Sequence, residues 1–477
     1  MRTHIIIRYL GAILLFNSMF LVLSLLISII HQESSTIPLM YSALICILFG
    51  VFPLIFVPSL PEINTREGLM IVVLGWTLTC LAGSLPYIMW GGEFTPVNAW
   101  FESVSGFTTT GSSILKDVEA LPMGLMFWRS STHFIGGIGI ILFSLLILPE
   151  SASTRIILFN AEMSDLAKTN FQYRAAQTVQ ILAVVYVGLT ILQTLFLSLA
   201  GMSLFDAVNH TFSTIATGGF STKNLSIAYF NNLGMEIIII VFMILASIHF
   251  GFLFDTIMFR RLNIFRSSIV RYYILVIILG ILLVTLKLFS TGFGNFGSSL
   301  RHAAFQVASI TSSTGFATTD TNIWPHFCQI VLIYFTLQAA CVGSTGGGIK
   351  FDRVFLFFKI IGKQVKFILH PKAVFVTKID GKTIPEQVEN HTLVFIILYM
   401  LILLISTIIV TAMNVDLMTA FSAVTASIGN VGPGFGEVSS LGNYGSMPAG
   451  AKLILTLNML LGRLEIFSII TIFVIRK

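Results

Sequence analysis

The fold of this chain is decided by four short glycine turns, Thr109-Thr110-Gly111, Thr217-Gly218-Gly219, Ser313-Thr314-Gly315 and Asn430-Val431-Gly432. Each turn follows a moderately apolar segment and precedes a long hydrophobic one. An alanine lies twelve residues before the last glycine of every turn, and those glycines are 108, 96 and 117 residues apart. Recurrence of whole segments predicts four copies of one structural unit.

Composition identifies an integral membrane protein. Of the 477 residues, 55% are hydrophobic and 10% are charged, and the mean hydropathy is +0.92, whereas about a quarter of the residues are charged in soluble domains. A spanning helix needs about 20 apolar residues. Uncharged runs of suitable length cover residues 10–30, 36–61, 69–90, 179–202, 237–254 and 392–415. Interrupted runs cover residues 123–148, 272–293, 327–349 and 453–475. We expect ten full spans and four half-spans.

The placement of charge predicts the topology. The net charge is +6, and Lys and Arg gather between alternate spans. The positive-inside rule makes those loops and both termini cytoplasmic and puts the four glycine turns on the outer side. The basic residues are explained by the topology, so they give no reason to expect that the protein binds nucleic acid. The first apolar run is interpreted as a span rather than a signal peptide, because it lacks a small-residue exit and a second span follows at once. The four cysteines show no pairing pattern and are interpreted as core residues.

The predicted organisation is an N-terminal two-helix hairpin, residues 1–64, followed by four repeats at residues 65–155, 170–262, 267–372 and 388–477. Each repeat has an entering helix and then a segment too short to cross, at residues 98–110, 205–218, 299–314 and 416–431. A 12-residue helix covers about 18 Å, whereas the hydrocarbon core is about 30 Å thick. Irregular backbone at that depth requires burial in protein or a wet cavity. We therefore expect an all-α membrane protein with helix/pore-loop/helix repeats around one central pore with pseudo-four-fold symmetry. The alternative is four amphipathic helices lying on the outer surface.

Glycine turns at the ends of half-helices are suited to an ion filter. Glycine lets successive carbonyl oxygens turn toward one point, and such oxygens replace the water shell of potassium. The C-terminal ends of the half-helices add partial negative charge. Glu102 and Asp320 flank the turns and are expected to attract cations at the mouth. The hydroxyls of Thr108, Thr109, Thr110, Thr217, Thr318 and Thr319 either contact the ion or satisfy local backbone groups. The fourth turn departs most, because it lacks the hydroxyl two residues before its last glycine.

A second glycine-rich segment, Cys341-Val342-Gly343-Ser344-Thr345-Gly346-Gly347-Gly348-Ile349-Lys350, lies deep in the span after the third turn. Each glycine costs a helix roughly 1 kcal/mol relative to alanine, so the helix should break there. A phosphate loop is disfavoured, because no strand precedes the segment and the lysine does not directly follow the last glycine.

Arg463 is an intramembrane charge in the last span, about ten residues from the start of its apolar run. Such a charge marks a functional site by default. The alternative is that Arg463 snorkels to an interface. Lys350 and Arg353 either belong to the functional site around the broken helix or only mark the cytoplasmic side of the membrane.

With these features the chain resembles the membrane subunit of the Trk, Ktr and HKT potassium transporters, which contain four fused helix, pore-loop, helix units. The resemblance covers residues 65–477, and the N-terminal hairpin is similar to the Trk branch. It implies that Gly111, Gly219, Gly315 and Gly432 line a potassium filter. A glycine rather than a serine in the first turn favours potassium, with rubidium as surrogate and sodium transported weakly.

The resemblance further implies that the broken-helix segment obstructs the pore below the filter and moves on opening, with Arg463 as a positive barrier. It implies a homodimer in the bacterial inner membrane and a cytosolic nucleotide-binding regulatory subunit, for which the basic segments 260–271 and 359–382 offer a docking face. No cofactor is expected in this chain apart from potassium ions bound in the filter.

Three functions compete on sequence alone. The first is potassium uptake through a channel-like pore. The alternative is a proton- or sodium-coupled symporter, which normally needs acidic residues inside spans; Glu236, Asp255 and Glu465 are the few candidates. An intramembrane enzyme is disfavoured, because no nucleophile and base pair and no metal motif is present. His133 and His249 are either metal ligands or proton relays, or buried hydrogen-bonding histidines, which the lack of a paired ligand favours.

Overall fold

The computed structural model describes residues 2–58, 64–139, 175–259, 266–464 and 466–467. Within these ranges the regular secondary structure is helical apart from one hairpin, in which β1 (Lys378–Ile379) pairs antiparallel with β2 (Lys382–Thr383). Among the described residues, six helices are long and apolar enough to span a membrane: α1 (Thr3–Ile30), α2 (Thr36–Phe56), α3 (Thr65–Trp90), α6 (Ala175–Leu199), α10 (Ser268–Ser290) and α14 (Glu386–Thr411). The prediction of an all-α, multi-pass membrane protein is confirmed.

Helices α1 and α2 form the predicted N-terminal hairpin. They approach closely where Gly11 faces Gly50, because a Cβ built on Gly11 would lie 2.7 Å from the Gly50 carbonyl oxygen. Small residues allow such backbone contact between membrane helices. Arg2 joins the hairpin to α3 by an ion pair with Glu67 at 2.8 Å.

Four short helices precede the glycine turns. They are α4 (Pro96–Phe107), α7 (Leu204–Ile215), α11 (Phe296–Thr311) and α15 (Leu417–Ile428), of 12, 12, 16 and 12 residues. At the start of each helix a side-chain oxygen accepts a backbone N–H from the first helical turn; the acceptors are Thr95, Ser203, Asn295 and Asp416. This is how N-cap residues satisfy the free donors of a helix. The helices are about 18–24 Å long, so they are half-helices. Most residues around their C-terminal turns are fully buried, which is incompatible with the alternative of surface helices.

The helix that follows each turn ends early in the structure. These helices are α5 (Met123–Ile138), α8 (Leu233–Ser247), α12 (His326–Gln338) and α16 (Ala449–Arg463). Proline precedes three of them, at positions 122, 325 and 448, and its fixed φ suits the start of a helix. The later parts of the predicted runs 123–148 and 453–475 lie outside the described residues, as does Glu465.

The prediction of one uninterrupted span over residues 237–254 is wrong. The chain breaks after Ser247, and α9 (Phe250–Phe259) continues at an angle of 107° to α8. The break is stabilised by the loop that follows α12: Cys341 donates its N–H to the Ser247 carbonyl at 3.0 Å, and Phe250 donates to the Gly343 carbonyl at 3.1 Å. Backbone groups freed by one broken helix are therefore satisfied by the other, as buried backbone requires.

The third of the helices after the turns is interrupted between Gln338 and Phe351, where α13 (Phe351–Leu369) begins. The helix break predicted from the glycine run is observed here. Gly343 and Gly348 have φ of 79° and 74°, conformations that glycine adopts without strain. The segment between α12 and α13, residues 339–350, is called the inner loop below.

Candidate functional site: the glycine ring and the inner loop

The four glycine turns share one backbone conformation. The second residue after each half-helix is left-handed, with φ of 52° at Thr109, 56° at Thr217, 62° at Ser313 and 50° at Asn430. The residue after it donates its N–H to the carbonyl five positions earlier, over 2.7–2.9 Å in all four turns. The left-handed residue also donates its N–H to the carbonyl three positions earlier. The two bonds together form the Schellman arrangement that ends many helices. Left-handed threonine and serine are uncommon, yet three of the four turns use them and all four share the conformation.

The four turns contact one another in a closed ring that follows chain order. A Cβ built on Gly111 would lie 1.9 Å from the Gly218 carbonyl oxygen, and one on Gly219 would lie 2.0 Å from that of Thr314. The corresponding distances are 2.1 Å from Gly315 to Val431 and 2.5 Å from Gly432 back to Thr110. All four glycines have φ between 80° and 99°. Only glycine fits these positions, because each Cα touches the backbone of the next turn.

One cavity of about 110 Å³ contacts all four of these glycines. Its wall includes Ser112 and Tyr444, whose hydroxyls both donate to the Gly432 carbonyl, at 3.1 and 2.7 Å. The four turns therefore meet at a single small space. The geometry brings together the glycines that the sequence singled out from four distant segments.

The outer rim of this cavity joins the loops after the first two turns. Asn224 accepts the N–H of Val118 at 2.7 Å and donates its amide to Asp117 at 2.7 Å. That amide hydrogen bond lowers the pKa of the exposed Asp117 carboxyl. The rim also carries Lys116 and Lys223.

Most threonine hydroxyls near the turns bond protein groups. Thr108 donates to the Val104 carbonyl at 2.6 Å and lies 2.8 Å from the Thr110 hydroxyl, and Thr217 donates to the Ala216 carbonyl at 2.6 Å. For Thr108 and Thr217 the backbone alternative fits the structure, whereas the Thr110 hydroxyl bonds the side chains of Thr108 and Asn430. The buried hydroxyls of Thr109 and Ser313 have no hydrogen-bond partner within the described ranges.

Asn430 replaces the missing hydroxyl of the fourth turn by a direct link to the first turn. Its amide nitrogen donates to the Thr110 hydroxyl and to the Met459 carbonyl, both at 2.9 Å. The dissimilar fourth turn is thus tied into the ring by its own side chain.

The expected role of Glu102 at the pore mouth is wrong. This side chain is fully buried, and its carboxylate accepts from Arg129 Nε at 2.6 Å and from the Ile114 N–H at 2.9 Å. Asp320 accepts the N–H of Asn322 at 2.9 Å and caps a short 3₁₀ turn. Arg129 was missed from the sequence, although an arginine in the middle of the run 123–148 was a usable signal.

The inner loop lies against the C-terminal ends of the half-helices. The Thr345 hydroxyl donates to the Ile215 carbonyl at 3.0 Å. A Cβ on Gly346 would lie 3.4 Å from the Ser312 carbonyl oxygen, and one on Gly347 would lie 2.8 Å from that of Gly429. The loop therefore packs beneath the second, third and fourth turns, and its glycines permit the close approach.

Charged side chains hold the inner loop. Arg463 donates to the Thr345 carbonyl at 2.5 Å, to the Gly137 carbonyl at 3.1 Å and to the Gly136 carbonyl. Lys350 donates to the Gly346 carbonyl, and the Asp352 carboxylate accepts the Val342 N–H at 2.7 Å.

Arg353 stacks on the Phe395 ring with its guanidinium carbon 3.9 Å from the centroid, and it donates to the Ile349 carbonyl at 3.3 Å. Arg353 therefore contacts both α14 and the end of the inner loop.

The two buried histidines make ordinary contacts. His133 lies 3.1 Å from the Ser213 hydroxyl and stacks on Phe220 with the ring centroids 4.0 Å apart. His249 accepts the Gly251 N–H at 3.1 Å and lies against Gly343. No group of three or more metal-ligating side chains occurs in the part of the chain that the structure describes. These contacts agree with buried hydrogen-bonding histidines.

Comparison with known proteins places the chain in one family. The family model TrkH, described as a cation transport protein, matches residues 39–477. The Trk system potassium uptake protein TrkH of Salmonella typhimurium is 37% identical over 416 residues, which are 86% of each chain. TrkH of Halomonas elongata is 33% identical over 99% of this chain and 98% of its own length.

The crystal structure of the potassium transporter TrkH from Vibrio parahaemolyticus superposes with a TM-score of 0.89 at 30% identity, over 99% of this chain and 98% of that one. The family match spans most of the chain and the structural match nearly all of it. The resemblance to Trk-type proteins predicted from the glycine turns is confirmed, and the chain belongs to the TrkH family of cation transport proteins.

Proposed function

We propose that this protein takes up potassium across the bacterial cytoplasmic membrane, through a channel-like pore whose filter is the ring of four glycine turns. The observation that carries the proposal is the closed contact of Gly111, Gly219, Gly315 and Gly432 with the carbonyls of neighbouring turns around one cavity. Four carbonyl-bearing turns offer the oxygen ligands that replace the water shell of potassium. The names of the TrkH relatives, which are potassium uptake proteins, support the choice of ion.

The filter comprises the twelve residues of the four turns, and the gate comprises Gly343, Ser344, Thr345, Gly346, Gly347, Gly348, Lys350 and Arg463. Support for the gate comes from the contacts of the inner loop with the half-helix ends and from the hydrogen bonds of Arg463 to it. The guanidinium bonds backbone carbonyls of the inner loop and of the C-terminal end of α5, which favours a gating role over snorkelling. A positive charge beneath the filter opposes cation passage until the loop and Arg463 separate.

The coupled-symporter alternative finds little support among the described carboxylates. Glu236 forms a bidentate pair with Arg301, with both N–O distances at 2.7 Å, and Glu102 is bonded to Arg129. Both carboxylates are already engaged by arginine side chains, which disfavours them as sites for a coupling ion. Downhill movement of potassium therefore remains the leading proposal.

The wider organisation is part of the same proposal. Both termini are cytoplasmic, the repeats have the boundaries 65–155, 170–262, 267–372 and 388–477, and the protein is a homodimer. A nucleotide-binding cytosolic subunit regulates the gate. Its docking face includes the exposed, lysine-bearing second half of α13; residues 260–265 of the other predicted segment, 260–271, lie outside the described ranges.

The test is rubidium influx into liposomes that contain the purified protein and are loaded with potassium. The proposal predicts influx that external potassium blocks and external sodium blocks weakly. Equal block by sodium and potassium would refute the assignment of a potassium-selective filter.

A further inference from the structure

Arg129 and Glu102 form a buried ion pair in the wall of the cavity that the four glycines line. The Nε–Oε1 distance is 2.6 Å, and the side chains are 3% and 0% exposed. Arg129 is itself one of the residues that contact the cavity. An arginine cannot lose its proton in a protein, so a permanent positive charge lies beside the proposed path of a cation.

The pair also links the first two glycine turns. On one side, Glu102 accepts hydrogen bonds from the Ser113 hydroxyl at 2.9 Å and from the Ile114 N–H at 2.9 Å, just after the first turn. On the other side, Arg129 donates to the Ser221 carbonyl at 3.1 Å and lies 3.5 Å above the Phe220 ring, just after the second turn. The two charges are therefore fixed by neighbouring backbone.

We propose that Arg129 and Glu102 set the affinity of the outer pore for cations, with Glu102 cancelling the positive charge that Arg129 places beside the filter. Arg129 acts as a positioning residue for the backbone after the second turn, and Glu102 makes its presence compatible with cation passage. This inference rests on the proposed function. It assigns to the pair a role in ion affinity in addition to its structural contacts.

The experiment compares Glu102→Gln, Arg129→Gln and the double variant by rubidium influx at varied rubidium concentration. Glu102→Gln leaves an uncompensated positive charge and should raise the half-saturating concentration about tenfold, equivalent to about 1.4 kcal/mol. At an effective dielectric of about 20, two unit charges repel by this amount at about 12 Å. Arg129→Gln leaves a negative charge and should lower the half-saturating concentration. The double variant should fall between the two.

Opposite shifts distinguish an electrostatic role from a purely structural one. Damage to the packing would move both single variants in the same direction, and that result would overturn the inference, as would no shift in either. Lys116→Gln is the matched control: it removes an exposed charge from the same cavity wall, so its effect should vanish at high salt while that of the buried pair persists. Variants are compared only as monodisperse protein, and Arg129→Lys retains the charge if Arg129→Gln does not fold. Absence of potassium-blocked influx in the unsubstituted protein would instead refute the proposed function.

Discussion

Substitution of Gly315 by serine should weaken the preference for potassium over sodium. The added Cβ would lie 2.1 Å from the Val431 carbonyl oxygen of the neighbouring turn and 2.8 Å from Pro433 Cδ. Real Cβ contacts are almost never shorter than 3.0 Å, so the Val431 carbonyl must move by 0.9 Å. Displacement of one of four oxygen ligands should lower the selectivity about tenfold, which corresponds to about 1.4 kcal/mol.

The left-handed conformation adds a second cost that must be separated from the first. Gly315 has φ of 83°, and a side chain in that region costs roughly 1–2 kcal/mol. Gly292→Ser is the matched control, because Gly292 has φ of 75° and nothing within 4 Å of its built Cβ. Both variants therefore place a side chain at a residue with positive φ, but only Gly315→Ser displaces a carbonyl of the ring.

The assay is the ratio of sodium to potassium concentrations that halve rubidium influx into liposomes. Gly315→Ser should lower this ratio about tenfold, whereas Gly292→Ser should leave it unchanged. An unchanged ratio in well-folded Gly315→Ser protein, or an equal loss in Gly292→Ser, would refute the assignment of the ring as the filter.

Two further predictions concern the inner loop, and a third concerns the ion pair of Arg301 and Glu236. Arg463→Ala, or deletion of residues 346–348, should raise basal rubidium influx severalfold, because the inner loop loses its anchor or its length; flat influx in folded protein would contradict the gate. Asp352→Ala should also raise basal influx, because the Val342 N–H loses its acceptor at 2.7 Å, a loss of about 1–3 kcal/mol. Asp352→Asn, which retains an acceptor, should have a smaller effect, and the reverse order would argue against a role of this hydrogen bond in holding the inner loop. Arg301→Met should lower the free energy of unfolding in detergent by about 1–3 kcal/mol, because the buried Glu236 carboxylate loses its partner. The effect stays moderate because Arg301 itself is partly exposed to solvent. An unchanged melting temperature would show that the pair contributes nothing.

The sequence was sufficient to predict the glycine ring because its elements repeat. Four alanines and four glycines at fixed spacing predict equivalent half-helices, and glycine alone satisfies the close carbonyl contacts that the structure contains. The break before α13 followed from three consecutive glycines, whose helix propensity is low. The glycine turns and the helix break depend on residues that are close together in the chain, and the sequence was therefore sufficient to predict them.

Features that depend on distant partners were not predictable. The run 237–254 has one glycine, Gly251, which lies beyond the break, and the run bends where its carbonyl at Ser247 bonds the inner loop, which is 94 residues away in the chain. Glu102 resembled an exposed mouth residue until its partner Arg129 was placed beside it. The first contact joins two different repeats and the second joins residues 27 positions apart in the chain, and a single sequence does not show which residues meet across such distances.

The measurement that tests the central claim most directly is rubidium influx driven by a potassium gradient alone, with proton and sodium gradients collapsed by ionophores. A channel-like filter predicts influx that follows the potassium gradient and reverses when that gradient is reversed. Influx that occurs only when a proton or sodium gradient is restored would contradict the account and establish the coupled transporter.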